Sequence, residues 1–178
     1  MVLDKQEIRK VMKKKRSLIS QETFLLHSQQ ILHQVLQHCQ YLKANTVGVY
    51  VSLPGEVDTI ALITEMLKTH HVCVPKVIGD DMVFYYIHSL NDLQEGYFHV
   101  LEPTTNEIAD PQDIDLMIVP MLAFDQNLYR VGYGKGFYDR YFASSFQGYK
   151  LGIAFSFQKV DDFDKDRYDI PLDEIICE

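Results

Sequence analysis

The chain switches repeatedly between helical and extended periodicity, and this alternation restricts its fold more than any other feature. An amphipathic pattern over about residues 4–16 carries Ile8, Val11, Met12 and the aliphatic stem of Lys15 at helical spacing. Asp4 is its predicted N-cap, with Glu7 as capping-box partner. Ser20 and Thr23 open a second helix, predicted to run to about 43. The period then changes. "TVGVYVS" (46–52) is β-branched and aromatic and reads as a buried strand. After the loop "LPGEVDT", Asp58 or Thr59 can cap a helix reaching about 69. "HVCVPKV" (71–77) and "MVFYYI" (82–87) are strands about a turn at Gly79–Asp80. "DIDLMIVP" (113–120) is the most hydrophobic strand, a helix follows over roughly 135–145, and "YKLGIAFS" (149–156) is a fifth strand. "EIIC" near the end reads as a short sixth. Such alternation predicts an α/β layered fold, with a mostly parallel central sheet flanked by helices and an N-terminal helical segment in front. No repeat or linker divides it, so residues 1–178 are expected to be one catalytic domain; "LEPTTNEIADPQD" reads as a surface excursion.

The longest apolar run, "LMIVPMLAF", is half a membrane span and is broken by Pro120. The charged N-terminus lacks the apolar core of a secretory leader. Cys39, Cys73 and Cys177 are odd in number and far apart, which argues against a disulfide framework or a zinc site and for a reducing cytoplasm. A net charge of −8 argues against nucleic acid as a partner. Any anion this chain binds must meet positive groups gathered locally. Lys5, Arg9 and Arg16 fall within ~40° of one another on a helical projection, a basic stripe beside the apolar one. The "KKKR" run at 13–16 is read as a solvated face.

"RVGYGKGFYDRYF", Arg130 to Phe142, places three of the chain's nine glycines at alternate positions before a helix. Two readings fit. One is a tight strand–helix turn with aromatic packing behind it. The other is an anion cradle: glycines let the loop curl, and backbone N–H groups and the helix dipole face the ligand. Neither the Walker A pattern nor the dinucleotide G-x-G-x-x-G fits; Phe137 stands where the last glycine of the latter belongs.

The longer stretch "MIVPMLAFDQNLYRVGYGKGFYDRYF" resembles the signature of the 5-formyltetrahydrofolate cyclo-ligase (methenyltetrahydrofolate synthetase) family. "KQEIR" resembles that family's N-terminal Lys-x-x-x-Arg element, and "YVSLPGEVDT" its Tyr-x-Ser-x-x-x-Glu-Val-x-Thr segment. "VPKV", "MVFYY", "LEP", "GIAFSFQ" and "RYDIPLDEI" follow in order, so the resemblance covers nearly the whole chain. Met121 stands where the family usually has glycine, and Tyr168 where it often has histidine before Asp169.

The resemblance implies an ATP-dependent ligase that closes a C–N bond, turning 5-formyltetrahydrofolate into 5,10-methenyltetrahydrofolate with release of ADP and phosphate through a phosphorylated formyl intermediate. It implies ATP contacts from Lys5, Arg9, Arg130, Val131, Gly132, Tyr133, Gly134, Lys135, Gly136, Phe137 and Tyr138, with Lys135 and Arg130 offsetting charge on the transferred group. It implies folate contacts from Val51, Glu56, Tyr133, Gly134, Lys135, Gly136 and Phe137, and Mg²⁺ held by Asp139 and Asp169. Phe84 and Tyr85 are candidates for stacking on the folate rings or for core packing. The protein is expected to be cytoplasmic, a monomer or weak homodimer, with neither nucleic acid nor membrane as partner. Two rivals remain at this level: a sugar-phosphate isomerase-like enzyme on a similar scaffold, which would leave Lys5 and Arg9 idle, and a folate- or nucleotide-binding protein without turnover, which would not need Lys135 and Asp139.

Overall fold

A computed structural model describes residues 4–96 and 99–178; residues 1–3, with which the charged N-terminus begins, lie outside the described residues. Six strands form the main sheet: β1 (Thr46–Val49), β2 (His71–Ile78), β3 (Asp81–Ile87), β6 (Leu116–Val119), β9 (Tyr149–Ile153) and β10 (Glu174–Ile176). Their spatial order is β10-β9-β6-β1-β2-β3, parallel throughout except for the antiparallel β2–β3 hairpin. The expected α/β architecture with a mostly parallel sheet is therefore observed.

The sheet is buried on both faces because its strands alternate between two cores. On β6, Leu116 and Ile118 point into one hydrophobic cluster, Met117 and Val119 into the other. The first cluster takes Ile31 and Val35 from α2 (Gln21–Gln37), Tyr41 from α3 (Cys39–Lys43), and Leu62, Ile63 and Met66 from α4 (Ile60–Met66). The second takes Phe84 of β3 and Tyr141 and Phe142 of α5 (Phe137–Phe142). Each fully buried Leu, Ile or Met contributes roughly 1.5–3 kcal/mol of transfer free energy.

α1 (Lys5–Ser17) joins neither core. Its Ile8 and Met12 pack with Leu122, Ala123, Val131 and Phe163 in a third cluster, around the small hairpin of β7 (Ala123–Phe124) and β8 (Arg130–Val131). Asp4 caps α1 as expected, accepting from Gln6 N (3.1 Å) and Glu7 N (3.3 Å). Val11 is 43% exposed and Lys15 is exposed, so the apolar stripe is narrower than its spacing suggested.

Several boundaries differ from the sequence reading, each for a local reason. The second helix breaks at His38, whose extended backbone ends α2 and whose Nδ1 accepts from Gln40 N to start α3. β1 stops at Val49, because the Tyr50 carbonyl is taken by the Thr59 hydroxyl. Asp58 rather than Thr59 caps α4, through Ile60 N at 2.9 Å. "LEP" pairs as β5 (Leu101–Pro103) with β4 (Leu93–Glu95), and Ala109 N donates to Phe84 O. The supposed excursion is thus stitched to the sheet. Met121 is buried and fills space beside Gly152, where an added Cβ would lie 2.4 Å from its methyl group.

Candidate active site

Three loops leave the carboxyl ends of parallel strands and converge. One follows β1 and carries Glu56. One follows β6 and runs through the β7–β8 hairpin into the glycine stretch. The third follows β9 and returns as a strap bearing Asp166 and Asp169. β1 continues to β2 on one side of the sheet and β6 to β9 on the other, so β1 and β6 flank the point where the winding reverses. Ligands of open α/β sheets bind at such a point.

The hairpin aims the glycine stretch. Asp125 is buried, and its Oδ1 accepts from Asn127 N (2.9 Å) and Tyr129 N (3.0 Å), closing the turn that delivers Arg130. Lys165 of the strap reaches the same carboxylate, at 2.7 Å. In the glycine loop, Gly134 has φ +97° and Gly136 φ +68°, conformations that a side chain would strain. Gly136 is the N-cap of α5, so that helix starts at Phe137 rather than 135. Gly132 has no such φ; what fills its missing side chain's space is the Arg130 guanidinium, 3.0 Å from an added Cβ.

A cavity of about 830 Å³ opens over this loop. Six basic side chains line it (Lys5, Arg9, Arg130, Lys135, Arg140 and Arg167) against the three carboxylates of Asp139, Asp166 and Asp169. In a chain of net charge −8 this is a local reversal of sign. The basic stripe of α1 does what its projection predicted. Arg9 Nε donates to Gly132 O (2.8 Å), and Lys5 pairs with Asp169 and, at 3.3 Å, with Asp166. Lys135 is exposed, and its ammonium has no partner among the described residues. Val131 is buried; Tyr133, Phe137 and Tyr138 line the wall.

Arg130 is the unusual member. Its side chain is 5% exposed, stacked over Tyr138 and Phe142, and 3.3 Å from Asp139 Oδ1. Nε and Nη2 nevertheless find no aligned hydrogen-bond acceptor among the described residues. Burial pushes its pKa down, and Asp139 opposes that.

Asp139 Oδ1 also accepts from Ile170 N (3.2 Å), and Asp169 Oδ2 from Asp166 N (2.9 Å). Among the described residues no three acidic, His or Cys side chains gather into a metal cluster. Two carboxylates on one cavity wall, each with its second oxygen outside these bonds, still fit Mg²⁺. That ion commonly takes one or two carboxylates and completes its shell with water and substrate phosphate.

Glu56 and Val51 are not brought to the cavity wall. Val51 sits in the first core cluster. Glu56 is 4% exposed, directly behind Tyr133: Tyr133 OH donates to Oε1 at 2.6 Å and Leu53 N to Oε2 at 2.9 Å. Burial raises its pKa, against those two hydrogen bonds and the nearby Arg16. Phe84 is fully buried in the second core, against Tyr141, and Tyr85 faces the β4–β5 hairpin. Arg16 corrects the reading of "KKKR". Lys13, Lys14 and Lys15 are exposed, but Arg16 is turned in onto Tyr133 and Glu56. The helical projection that grouped it with Lys5 and Arg9 was the signal for it. Arg140, Arg167 and Asp166 also line the cavity without having been singled out.

The fold and cavity define an α/β protein with a cation-lined cavity at the switch point of a parallel sheet. Residues 2–178 match the model of the 5-formyltetrahydrofolate cyclo-ligase family, and the chain belongs to that family. It is 32% identical to the 5-formyltetrahydrofolate cyclo-ligase of Mycoplasma pneumoniae, over 98% of each chain, and 27% identical to that of Escherichia coli K12, over 93% of this chain and 96% of the other. Among solved structures it resembles the Aquifex aeolicus 5,10-methenyltetrahydrofolate synthetase, with a TM-score of 0.87 and 36% identity over 96% of this chain and 88% of that one. It also resembles the M. pneumoniae 5,10-methenyltetrahydrofolate synthetase, with a TM-score of 0.81 and 30% identity over 98% and 99% of the two chains.

Proposed function

We propose that the protein catalyses the ATP-dependent cyclisation of 5-formyltetrahydrofolate to 5,10-methenyltetrahydrofolate, releasing ADP and phosphate. The observation that carries this reading is the cation-lined cavity, built on two left-handed glycines and closed by the N-terminal Lys5 and Arg9, in a chain of that family.

A formamide carbon is a poor electrophile, and its oxygen leaves badly. Transfer of the terminal phosphoryl group breaks its bond to ADP and forms a P–O bond to the formyl oxygen. The folate's bridging nitrogen then attacks the formyl carbon and gives up its proton, and the C–O bond breaks as phosphate departs. The protein's task is to position the reactants and offset charge. Backbone N–H groups of the loop from Gly132 to Tyr138 face the phosphates. Lys135, exposed and unpaired among the described residues, and Arg130 offset charge on the transferred group. Lys5 and Arg9 bring α1 against the nucleotide. Glu56, covered by Tyr133 in the ligand-free protein, would take N–H donors of the pterin edge once that side chain turns aside, with Val51 as apolar wall behind it. Asp139 and Asp169 would hold Mg²⁺, which supplies positive charge against the phosphate oxygens when bound.

The protein acts as one catalytic domain over residues 1–178, as a monomer or weak homodimer in the cytoplasm. Its three free cysteines, and the lack among the described residues of any helix long and apolar enough to cross a membrane, support that setting. Incubation of purified protein with 5-formyltetrahydrofolate and Mg-ATP should give ADP and cyclised folate in equal amounts. Cyclisation at the same rate without nucleotide would reject the reading. Binding of both ligands without either product would leave a non-catalytic binding protein.

A further inference from the structure

The side chain of Arg16 is only 8% exposed although it ends a run of solvated lysines. It joins two loops of the site. Nη1 donates to Tyr133 OH at 2.8 Å, Nη2 donates to the Met121 carbonyl, and the stem packs against Gly55. Glu56 Oε1 is 3.9 Å from Nη1 and accepts from Tyr133 OH at 2.6 Å.

A hydroxyl has one proton to give. Because the Tyr133 oxygen accepts from Arg16, that proton is directed at Glu56. The groups facing Glu56 are Arg16 from α1, Tyr133 from the glycine loop, Tyr138 from α5, and Tyr50 with Leu53 N from the loop after β1. Among these Arg16 alone carries charge. Burial favours a proton on Glu56; the Tyr133 and Leu53 N hydrogen bonds and the Arg16 charge together oppose it, and a protonated carboxyl would lose its charge and turn one oxygen into a donor.

We propose that Arg16 is a positioning residue for the folate half of the site, orienting Tyr133 and holding Glu56 as an acceptor so that the loop after β1 and the glycine loop meet the substrate as one unit. This rests on the reading of Glu56 as a folate contact. A purely structural Arg16 would alter stability, and both substrates' KM values together or not at all.

The test compares Arg16→Met, which keeps the stem, with Arg16→Lys, which keeps the charge but not the fork. Two readouts are taken: KM for each substrate and kcat across neutral pH, and a ¹³C titration of the Glu56 carboxyl in ligand-free protein. In Arg16→Met the KM for 5-formyltetrahydrofolate should rise about tenfold or more at neutral pH, while kcat and the KM for ATP stay within about twofold. Glu56 should titrate at higher pH than in the parent, so the folate KM should worsen further as pH falls. Arg16→Lys should restore the titration and only part of the KM. An unshifted Glu56 titration, or a folate KM that is unchanged or moves only with that for ATP, would overturn the proposal. Should Arg16→Met fail to fold, Arg16→Lys decides it: it should raise the folate KM alone, and equal changes in both substrates, or none, would overturn the proposal. A parent protein that does not cyclise folate defeats the functional reading instead, and the carboxyl titration still shows whether Arg16 governs Glu56.

Discussion

Asp139→Asn is expected to cut turnover by at least ~100-fold at ordinary magnesium, since even outer partners of a metal site are worth up to that factor. Asp139 lies in the first turn of α5, where a carboxylate stabilises the helix by ~0.3–1 kcal/mol with or without a metal. It also faces buried Arg130 and accepts from Ile170 N. Asparagine keeps a carbonyl acceptor for Ile170 N but gives up the charge, so stability should fall only by the ~0.3–1 kcal/mol of a helix-terminus charge. A helix-start role accounts for that loss and nothing more. A metal-holding role adds the collapse in turnover, with part of it recovered as magnesium is raised. Melting temperature and turnover across a magnesium series separate the two; near-parental turnover at ordinary magnesium removes Asp139 from the site.

Arg130→Met should give the opposite balance. Among the described residues Arg130 Nε has no partner and Nη2 has only the Asp139 carboxylate at 3.3 Å without an aligned hydrogen bond, and an unsatisfied buried donor costs ~1–3 kcal/mol. The guanidinium is also held in an environment that disfavours its charge. Methionine is shorter and gives up the cation–π contacts, but its polarizable thioether replaces the aliphatic stem and can pack beside the Tyr138 and Phe142 rings. Asp139 is not stranded, because it is partly exposed and keeps Ile170 N. Thermal stability should therefore hold or rise, while turnover falls by about a hundredfold or more as an anion-facing donor is lost. A large drop in melting temperature with turnover intact would make Arg130 a structural cation.

The sheet was legible because its strands are long runs of β-branched and aromatic residues. β6 and β2 announce themselves by composition alone, whereas β7 and β8 are two residues each and carry no period to read. The break at His38 was invisible for a similar reason: neither glycine nor proline marks it, and the cap is an imidazole nitrogen. In the site, positions fixed by chain-local chemistry were readable. Gly134 and Gly136 do take left-handed backbone, and Lys5 and Arg9 do turn toward the glycine loop. What could not be read depends on which loop lies over which. Glu56 sits behind Tyr133, 77 positions away in sequence, and Arg16 differs from its lysine neighbours only in the face of α1 that docks.

The central claim, that the formyl oxygen leaves as phosphate, is tested most directly by labelling that oxygen. With 5-formyltetrahydrofolate carrying ¹⁸O in the formyl group, the phosphate released during Mg-ATP-dependent turnover should carry one labelled oxygen per cyclised folate. Unlabelled phosphate, with the ¹⁸O recovered in water, would contradict the account.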